Sequence, residues 1–298
     1  MAYRRTLRRD VGCTGIGLHC GRPVRLRLRP APAEHGIRFL RTDVGITIPA
    51  TLAHIGAQDH ATTLLRDGFS VGTVEHLLAA LLALGVDDVL VELDGPEVPI
   101  LDGSAAPFVI LLHEAGPRPL AVPRLHLRVL QPVEVVRGAK SVRLSPAERF
   151  EVRYTIGFDH PLLRHQAHTA RISARSFTEA IAPARTFGFL RDVELLRKSG
   201  LALGGSLENA VVIGETGVLN NKLRFEDEFV RHKILDAVGD LALLGRPLLG
   251  RVDAVKAGHA LHAAVAQKLL ATPSAWELVP SEAQLAAQPA TALQPAEV

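Results

Sequence analysis

At 298 residues the chain exceeds the usual size of one domain, and 47% hydrophobic content gives each half of it enough apolar residues for a core. A disordered or low-complexity protein is excluded. The net charge is only +3, and although arginines gather in "YRRTLRR" (3 to 9) and "RPVRLRLRP" (22 to 30), aromatic residues make up just 4%. Alternation of arginine with apolar residues describes the solvent face of a half-buried strand, so no nucleic acid partner is expected.

In chain order, residues 1 to 70 alternate polar and apolar positions between Gly and Pro punctuation, as in "GIRFLRTD" (36 to 43), and predict short antiparallel strands. A helix is expected over about 73 to 84, ended by Gly85, then a strand "DVLVEL" (88 to 93), an Asp102-Gly103 turn and a helix over about 105 to 115. The three prolines of "GPRPLAVPR" (116 to 124) break the pattern and mark the expected domain boundary. Beyond it the same order returns: strands in "SVRLSP" (141 to 146) and "FEVRYTIGF" (150 to 158), then a helix in "FVRHKILDAVGDLALLG" (229 to 245). A strand near 249 to 258 and a helix over about 259 to 271 complete the second copy. Two copies of strands, helix, glycine, strand and helix suggest a duplication, interrupted at 187 to 214 by an extra helix closed at Ser199-Gly200 and a following strand. The expected domains are therefore 1 to 120 and 125 to 276, with a loosely ordered Ala-, Pro- and Gln-rich tail over 277 to 298.

Cys13 and Cys20 cannot build a disulfide framework and lack zinc-knuckle spacing, which fits a reducing compartment. The longest apolar run, "LLAALLALGV" (77 to 86), is too short to span a bilayer, and no apolar stretch follows the basic amino terminus. A cytoplasmic protein without stable membrane insertion is expected.

His232, Asp236 and Asp240 follow one another at four-residue intervals up the flank of an apolar helical stripe. Residues four apart point the same way and can chelate one ion, yet a His-x-x-x-acid pair arises by chance about once in a chain with 13 histidines, and a polar flank is the commoner reason for it. A metal site needs a third ligand. Glu75 and His76 open a helix that is otherwise almost wholly apolar, so they either sit at its exposed end, where Glu75 suits the helix dipole, or line a site. If the two copies pack face to face, equivalent helices meet and His76 approaches His232 and Asp236. Two histidines and one carboxylate leave a position for water, the arrangement of a hydrolytic zinc, and also suit ferrous iron. Lys256 and His259 fall where a strand gives way to a helix, where a lone histidine is more often a cap than a catalyst.

Six ordered segments, "GIGLH" (15 to 19), "TVEHLLAAL" (73 to 81), "ILDGSAAPF" (100 to 108), "ARTFGF" (184 to 189), "LRFEDEFVRHKILDAVGDL" (223 to 241) and "KAGHAL" (256 to 261), give the chain a resemblance over about 5 to 276. It resembles the zinc-dependent UDP-3-O-acyl-N-acetylglucosamine deacetylases of lipid A synthesis. The resemblance implies an α+β fold of two similar domains, each a mostly antiparallel sheet with a layer of helices, packed face to face with the active site between them. It implies His76, His232 and Asp236 as ligands of one zinc, Glu75 as general base, His259 as general acid with Asp240 as its partner, and Thr186 near the oxyanion. It further implies that Lys140, Phe158, Lys233 and Lys256 contact the UDP-sugar. The segment 187 to 214 matches the insert that forms an acyl passage, for which Phe187, Val193, Leu196, Ala202, Gly205, Ser206, Ala210 and Val212 are the expected lining. The UDP-3-O-acyl-GlcNAc substrate is the expected partner, with a monomer as the expected state. Many relatives carry Cys-Thr-Cys where this chain reads "ATT" (61 to 63), which removes a thiol able to bind a second, inhibitory zinc.

Overall fold

The structure is a computed structural model describing residues 3–220 and 222–280. Its first half runs β1 (Tyr3–Leu7), β2 (Val11–Ile16), β3 (Pro23–Pro30), β4 (Ile37–Arg41), β5 (Ile46–Pro49), a hairpin of β6 (Leu64–Arg66) and β7 (Phe69–Val71), α1 (Glu75–Leu84), β8 (Val89–Leu93) and α2 (Ala106–Ala115). The second half runs β9 (Pro117–Pro123), β10 (Leu125–Val129), β11 (Val133–Arg137), β12 (Lys140–Ser145), β13 (Phe150–Ile156), β14 (Gln166–Arg171) and α3 (Ala174–Ala180). The insert contributes β15 (Phe187–Phe189), α4 (Leu190–Lys198) and β16 (Val211–Ile213), after which come α5 (Glu228–Leu241), β17 (Leu248–Val255), α6 (His259–Leu270) and β18 (Trp276–Pro280).

The two halves share one sheet topology. The first sheet has the order β2-β3-β8-β4-β5, with β4 and β8 parallel and every other pair antiparallel. In the second, β11-β12-β17-β13-β14 repeats that order, with its parallel pair, β13 and β17, in the same place. Alternation sets the faces: on β3 Val24, Leu26 and Leu28 are buried while Arg25, Arg27 and Arg29 point outward. Arg27 pairs there with Asp10 at 2.6 Å, and Arg29 with Glu92 at 2.8 Å. The helices lie on the inner faces, and α1 packs directly on α5. The result is an α+β molecule of two similar halves whose helical layers meet at the centre.

Helix α1 is buried along nearly its whole length, as is α5, because each has a sheet on one side and the other half on the other. Gly239 permits their close approach: a Cβ there would collide with the carbonyl oxygen of Glu75. Gly85 ends α1 in the left-handed conformation at φ 69°, its N–H capping Leu81 and Leu82 carbonyls.

Two expectations need correction. Residues 116 to 124 do not simply break the pattern: their prolines lie in β9, which pairs antiparallel with β1 in a two-stranded sheet, where proline's missing N–H is tolerated at an open edge. The first residues of the expected tail, 277 to 280, continue β18, which pairs antiparallel with β10 and buries Val279. Residues 281 to 298 of that tail lie outside the described residues. Among the described residues no helix is long and apolar enough to cross a membrane.

Candidate active site

The entry to α1 is fixed before the helix begins. Thr73 adopts φ 55° and donates its hydroxyl to Glu97 Oε1 at 2.7 Å, and Glu97 also accepts the N–H groups of His19 (2.9 Å) and Cys20 (2.8 Å). Glu75 and His76 then occupy the first turn, buried at the junction with α5. Opposite them, His232 donates from Nδ1 to the carbonyl of Ala184 at 3.0 Å, which leaves the Nε2 lone pair free. That Nε2 lies 3.3 Å from Asp236 Oδ1, and His76 Nε2 lies 3.8 Å from the same oxygen. Asp236 Oδ2 is taken separately by Lys233 Nζ at 2.6 Å.

The three side chains fit a metal ion. Each offers one ligand atom, and these atoms lie within 4.8 Å of one another. Burial, reinforced by His232, holds His76 down at about 3, and burial also lowers His232, so both rings are neutral. Burial opposes ionisation of Asp236, but Lys233 and the protonated His259 outweigh it and hold its carboxyl well below the usual range. Two neutral imidazoles and a carboxylate are the protonation states that metal binding requires. His76 Nδ1 is buried without a hydrogen-bond partner among the described residues.

His259 is the first residue of α6. Its Nδ1 donates to Asp240 Oδ2 at 2.8 Å, and its Nε2 approaches Asp236 Oδ2 at 4.0 Å. Burial alone would lower its pKa, but the charge and hydrogen bond of Asp240, with Asp236 and Glu75, raise it to about 9. Glu75 is pushed up to about 8 by burial, partly countered by His259. The site therefore sets the carboxyl group of Glu75 beside one protonated imidazole in a desolvated pocket, next to a set of ligands for a cation.

Thr186 lies in the loop that also supplies Ala184. This loop is anchored by a buried ion pair, Arg185 Nε to Glu228 Oε1 at 2.8 Å, and by the Thr186 N–H donating to Gly103 O at 2.8 Å. The "ILDGSAAPF" and "ARTFGF" motifs thus meet across the two halves.

Glu75, His76, Thr186, His232, Asp236 and His259 open into one cleft of about 1090 Å³. Asp240 sits behind His259. Lys140, Phe158, Lys233 and Lys256 line the cleft, as do Phe187 and Leu196 of the insert. Val193, Ala202, Gly205, Ser206, Ala210 and Val212 are not among its lining residues. Their segment has other work in the fold. The loop around Ala202 and Gly205 packs on the first half, where Leu203 N–H donates to His19 O (3.2 Å) and Gly204 N–H to Leu18 O (3.0 Å). Ser206 accepts the N–H of Glu208, while the backbones of Ala210 and Val212 bond the side chain of Asn220. Leu195 and Leu201 join Leu196 on the wall instead.

Sequence reading missed several lining residues. Arg137 pairs with Lys140 across the β11–β12 hairpin and brings a second cation to the mouth. Recognising "VVRGAK" as a hairpin would have exposed that pair. Phe189 packs with Phe158 at 5.6 Å between ring centroids, and Arg191 lies over Phe189 at 4.8 Å. His19 and His60 come from loops, which carry no periodicity to single them out.

The sequence profile of the family described as UDP-3-O-acyl N-acetylglycosamine deacetylase matches residues 4–271. A protein of Myxococcus xanthus (strain DK1622) is 51% identical over 281 residues, covering 93% of this chain and 90% of its own. One from Anaeromyxobacter dehalogenans (strain 2CP-C) is 51% identical over 277 residues, with the same coverage. A third, from Pseudomonas entomophila (strain L48), is 49% identical and covers 94% of both chains. All three are named UDP-3-O-acyl-N-acetylglucosamine deacetylase. With a profile that spans nearly the whole described structure and relatives at about half identity, this chain belongs to the UDP-3-O-acyl N-acetylglycosamine deacetylase family.

Proposed function

We propose that the protein hydrolyses the acetamide of UDP-3-O-acyl-N-acetylglucosamine, the committed step of lipid A synthesis, with one zinc ion held by His76, His232 and Asp236. The observation that carries this reading is the convergence of those three ligands with Glu75 and His259 in one cleft of a member of this family.

A bound zinc ion supplies Lewis acidity, polarising the amide carbonyl and acidifying water. Glu75 takes the proton of the attacking water, and its buried setting keeps the carboxylate from being solvated and blunted as a base. Thr186, on the cleft wall, offers its hydroxyl to the oxygen on which negative charge develops. His259, held by Asp240, gives its proton to the nitrogen as the carbon–nitrogen bond breaks, so that acetate and the free sugar amine leave. Lys140, Lys256 and the additional Arg137 suit the diphosphate by charge, and Phe158 offers a flat apolar face to the nucleoside. Lys233 neutralises Asp236 and faces the same cleft. Phe187 and Leu196 form the apolar side on which the acyl chain lies. All of these groups come from one chain, which supports action as a monomer, and the free thiols of Cys13 and Cys20 support a cytoplasmic setting.

The test is acetate release from a UDP-3-O-acyl-GlcNAc substrate by the purified full chain, with and without a chelator. Activity lost on chelation and restored by one equivalent of zinc is the expected result. Full activity of metal-free protein would overturn the metal assignment, and absence of acetate release from zinc-loaded protein would overturn the substrate. The same ligand set suits ferrous iron, so reconstitution with each ion decides between them.

A further inference from the structure

The "ATT" segment at 61 to 63 carries a residue whose placement no sequence pattern signals. Thr62 is fully buried between the two halves of the molecule, and each of its three polar groups is engaged. Its backbone N–H donates to Glu75 Oε2 at 3.0 Å. Its hydroxyl donates to Asp240 Oδ1 at 2.5 Å, and the same oxygen lies 3.2 Å from His259 Nδ1, where it serves as a second acceptor for that N–H. Its carbonyl accepts the N–H of Val74, the residue before Glu75.

The partners of Asp240 explain why this hydroxyl matters. Asp240 Oδ2 takes two imidazoles at once, His259 Nδ1 at 2.8 Å and His262 Nδ1 at 2.7 Å. His262 is tied in turn to the hydroxyl of Tyr154 at 3.1 Å. A carboxylate gripped on one oxygen only can pivot about its Cβ–Cγ bond, and His259 would pivot with it. Thr62 holds the other oxygen from the opposite half of the molecule, so the carboxylate plane has a fixed orientation. The same residue, through its N–H, fixes the carboxylate of Glu75. Positioning of reacting groups to within a fraction of an ångström governs turnover more than substrate affinity.

We propose that Thr62 is a positioning residue that sets the carboxylate of Glu75 and the imidazole of His259 in a single fixed geometry, acting through hydrogen bonds and touching no substrate. This rests on the deacetylase reading for the roles of Glu75 and His259, but the geometry itself can be measured without turnover. Thr62 is not among the residues lining the cleft, so its hydroxyl reaches the chemistry only through Asp240 and His259.

The experiment compares Thr62→Val, which keeps the shape and loses the hydroxyl, with Thr62→Ser, which keeps the hydroxyl. In zinc-loaded full chain, Thr62→Val should lower kcat roughly 10- to 100-fold, the scale of one hydrogen bond to a charged group, with KM and bound zinc unchanged. Thr62→Ser should recover most of the rate. Independently of activity, the imidazole Nδ1–H resonance of His259 in histidine-labelled protein, assigned by its loss in His259→Gln, should move in Thr62→Val and stay in place in Thr62→Ser. If Thr62→Val does not fold, Thr62→Ala removes the same hydroxyl without adding a methyl group. Wild-type kcat in the variant lacking the hydroxyl, an unmoved His259 resonance, or an equal fall in Thr62→Ser would each overturn the proposal. Should the wild type release no acetate, the deacetylase reading fails while the resonance still decides the geometry.

Discussion

Asp236 divides its labour between its two oxygens, Oδ1 toward the histidines and Oδ2 toward Lys233. That division keeps it ionised in a site whose burial would otherwise protonate it. Glu75 has no such cationic partner at bonding distance, which is why burial lifts it to about 8 and suits it to accept a proton. Glu75→Gln should lower kcat by roughly two to four orders of magnitude, the usual contribution of a general base, while bound zinc measured by metal analysis stays at one equivalent. Loss of zinc in that variant would make Glu75 a structural ligand. The pH profile follows from the same two groups. Turnover needs Glu75 deprotonated and His259 protonated. The acidic limb belongs to Glu75 and falls below about 8, because a cation beside it favours the carboxylate. The alkaline limb belongs to His259 and lies below its metal-free value of about 9, because the same cation disfavours the imidazolium. In His259→Ala the residual rate should lose that alkaline limb, and a limb that persists would assign the acid to another group.

At the scale of elements, the contact of α1 with α5 is what brings one histidine from the first half to a histidine and an aspartate from the second. It depends on Gly239, since any side chain there meets the backbone of α1 at Glu75. Gly239→Ala should therefore lower stability by about 1–3 kcal/mol, as over-packing of a close core contact does, and weaken zinc binding at the same time. Denaturant unfolding and zinc titration check the two effects, and a variant with wild-type zinc affinity would show that the helices separate without disturbing the ligands. In the insert, α4 presents Leu195 and Leu196 to the cleft. Burial of each acyl methylene against such a wall contributes up to about 0.8 kcal/mol, so Leu196→Asp should depress turnover of a long-chain substrate far more than that of an analogue lacking the acyl group. Ala210, off the wall, serves as the control, and equal losses on both substrates would remove α4 from the path of the chain.

For the whole molecule, duplication creates the site: two copies of one sheet-and-helix unit pack through their helices, and the chemistry lies where they meet. A metal ion held by His76, His232 and Asp236 would tie the copies together, so chelation should lower the Tm by an amount that grows with the logarithm of zinc concentration over its Kd. The metal-free protein carries a further pH signature. His259 has a folded pKa near 9 against 6.5 in the unfolded chain, and Glu75 near 8 against 4.5. Both folded groups hold protons that the unfolded chain has released, so stability falls as pH rises, for Glu75 from about 4.5 to 8 and for His259 from about 6.5 to 9. Thermal melts of chelated protein should drop across the shared interval, and a Tm that rises there would contradict the assignment of these buried protonation states.

Periodicity and punctuation in the sequence determined the local elements: the alternation of β3, the apolar run of α1 ended by Gly85, and the four-residue steps of His232, Asp236 and Asp240 on α5. These are visible because each is set by neighbours within a few residues. The repeat of element order likewise announced two similar halves, and the ordered motifs announced the family. Only the tertiary structure decided which polar residues share a space. The strand of β9 is invisible beforehand because its prolines pair with β1, more than a hundred residues away. The cleft wall takes Leu195 and Leu201 in place of Ala202 and Ala210, because the direction of a loop is set by what it packs on and not by its composition. Thr62 had no local signature, since its hydroxyl acquires meaning only through Asp240, which lies 178 positions along the chain.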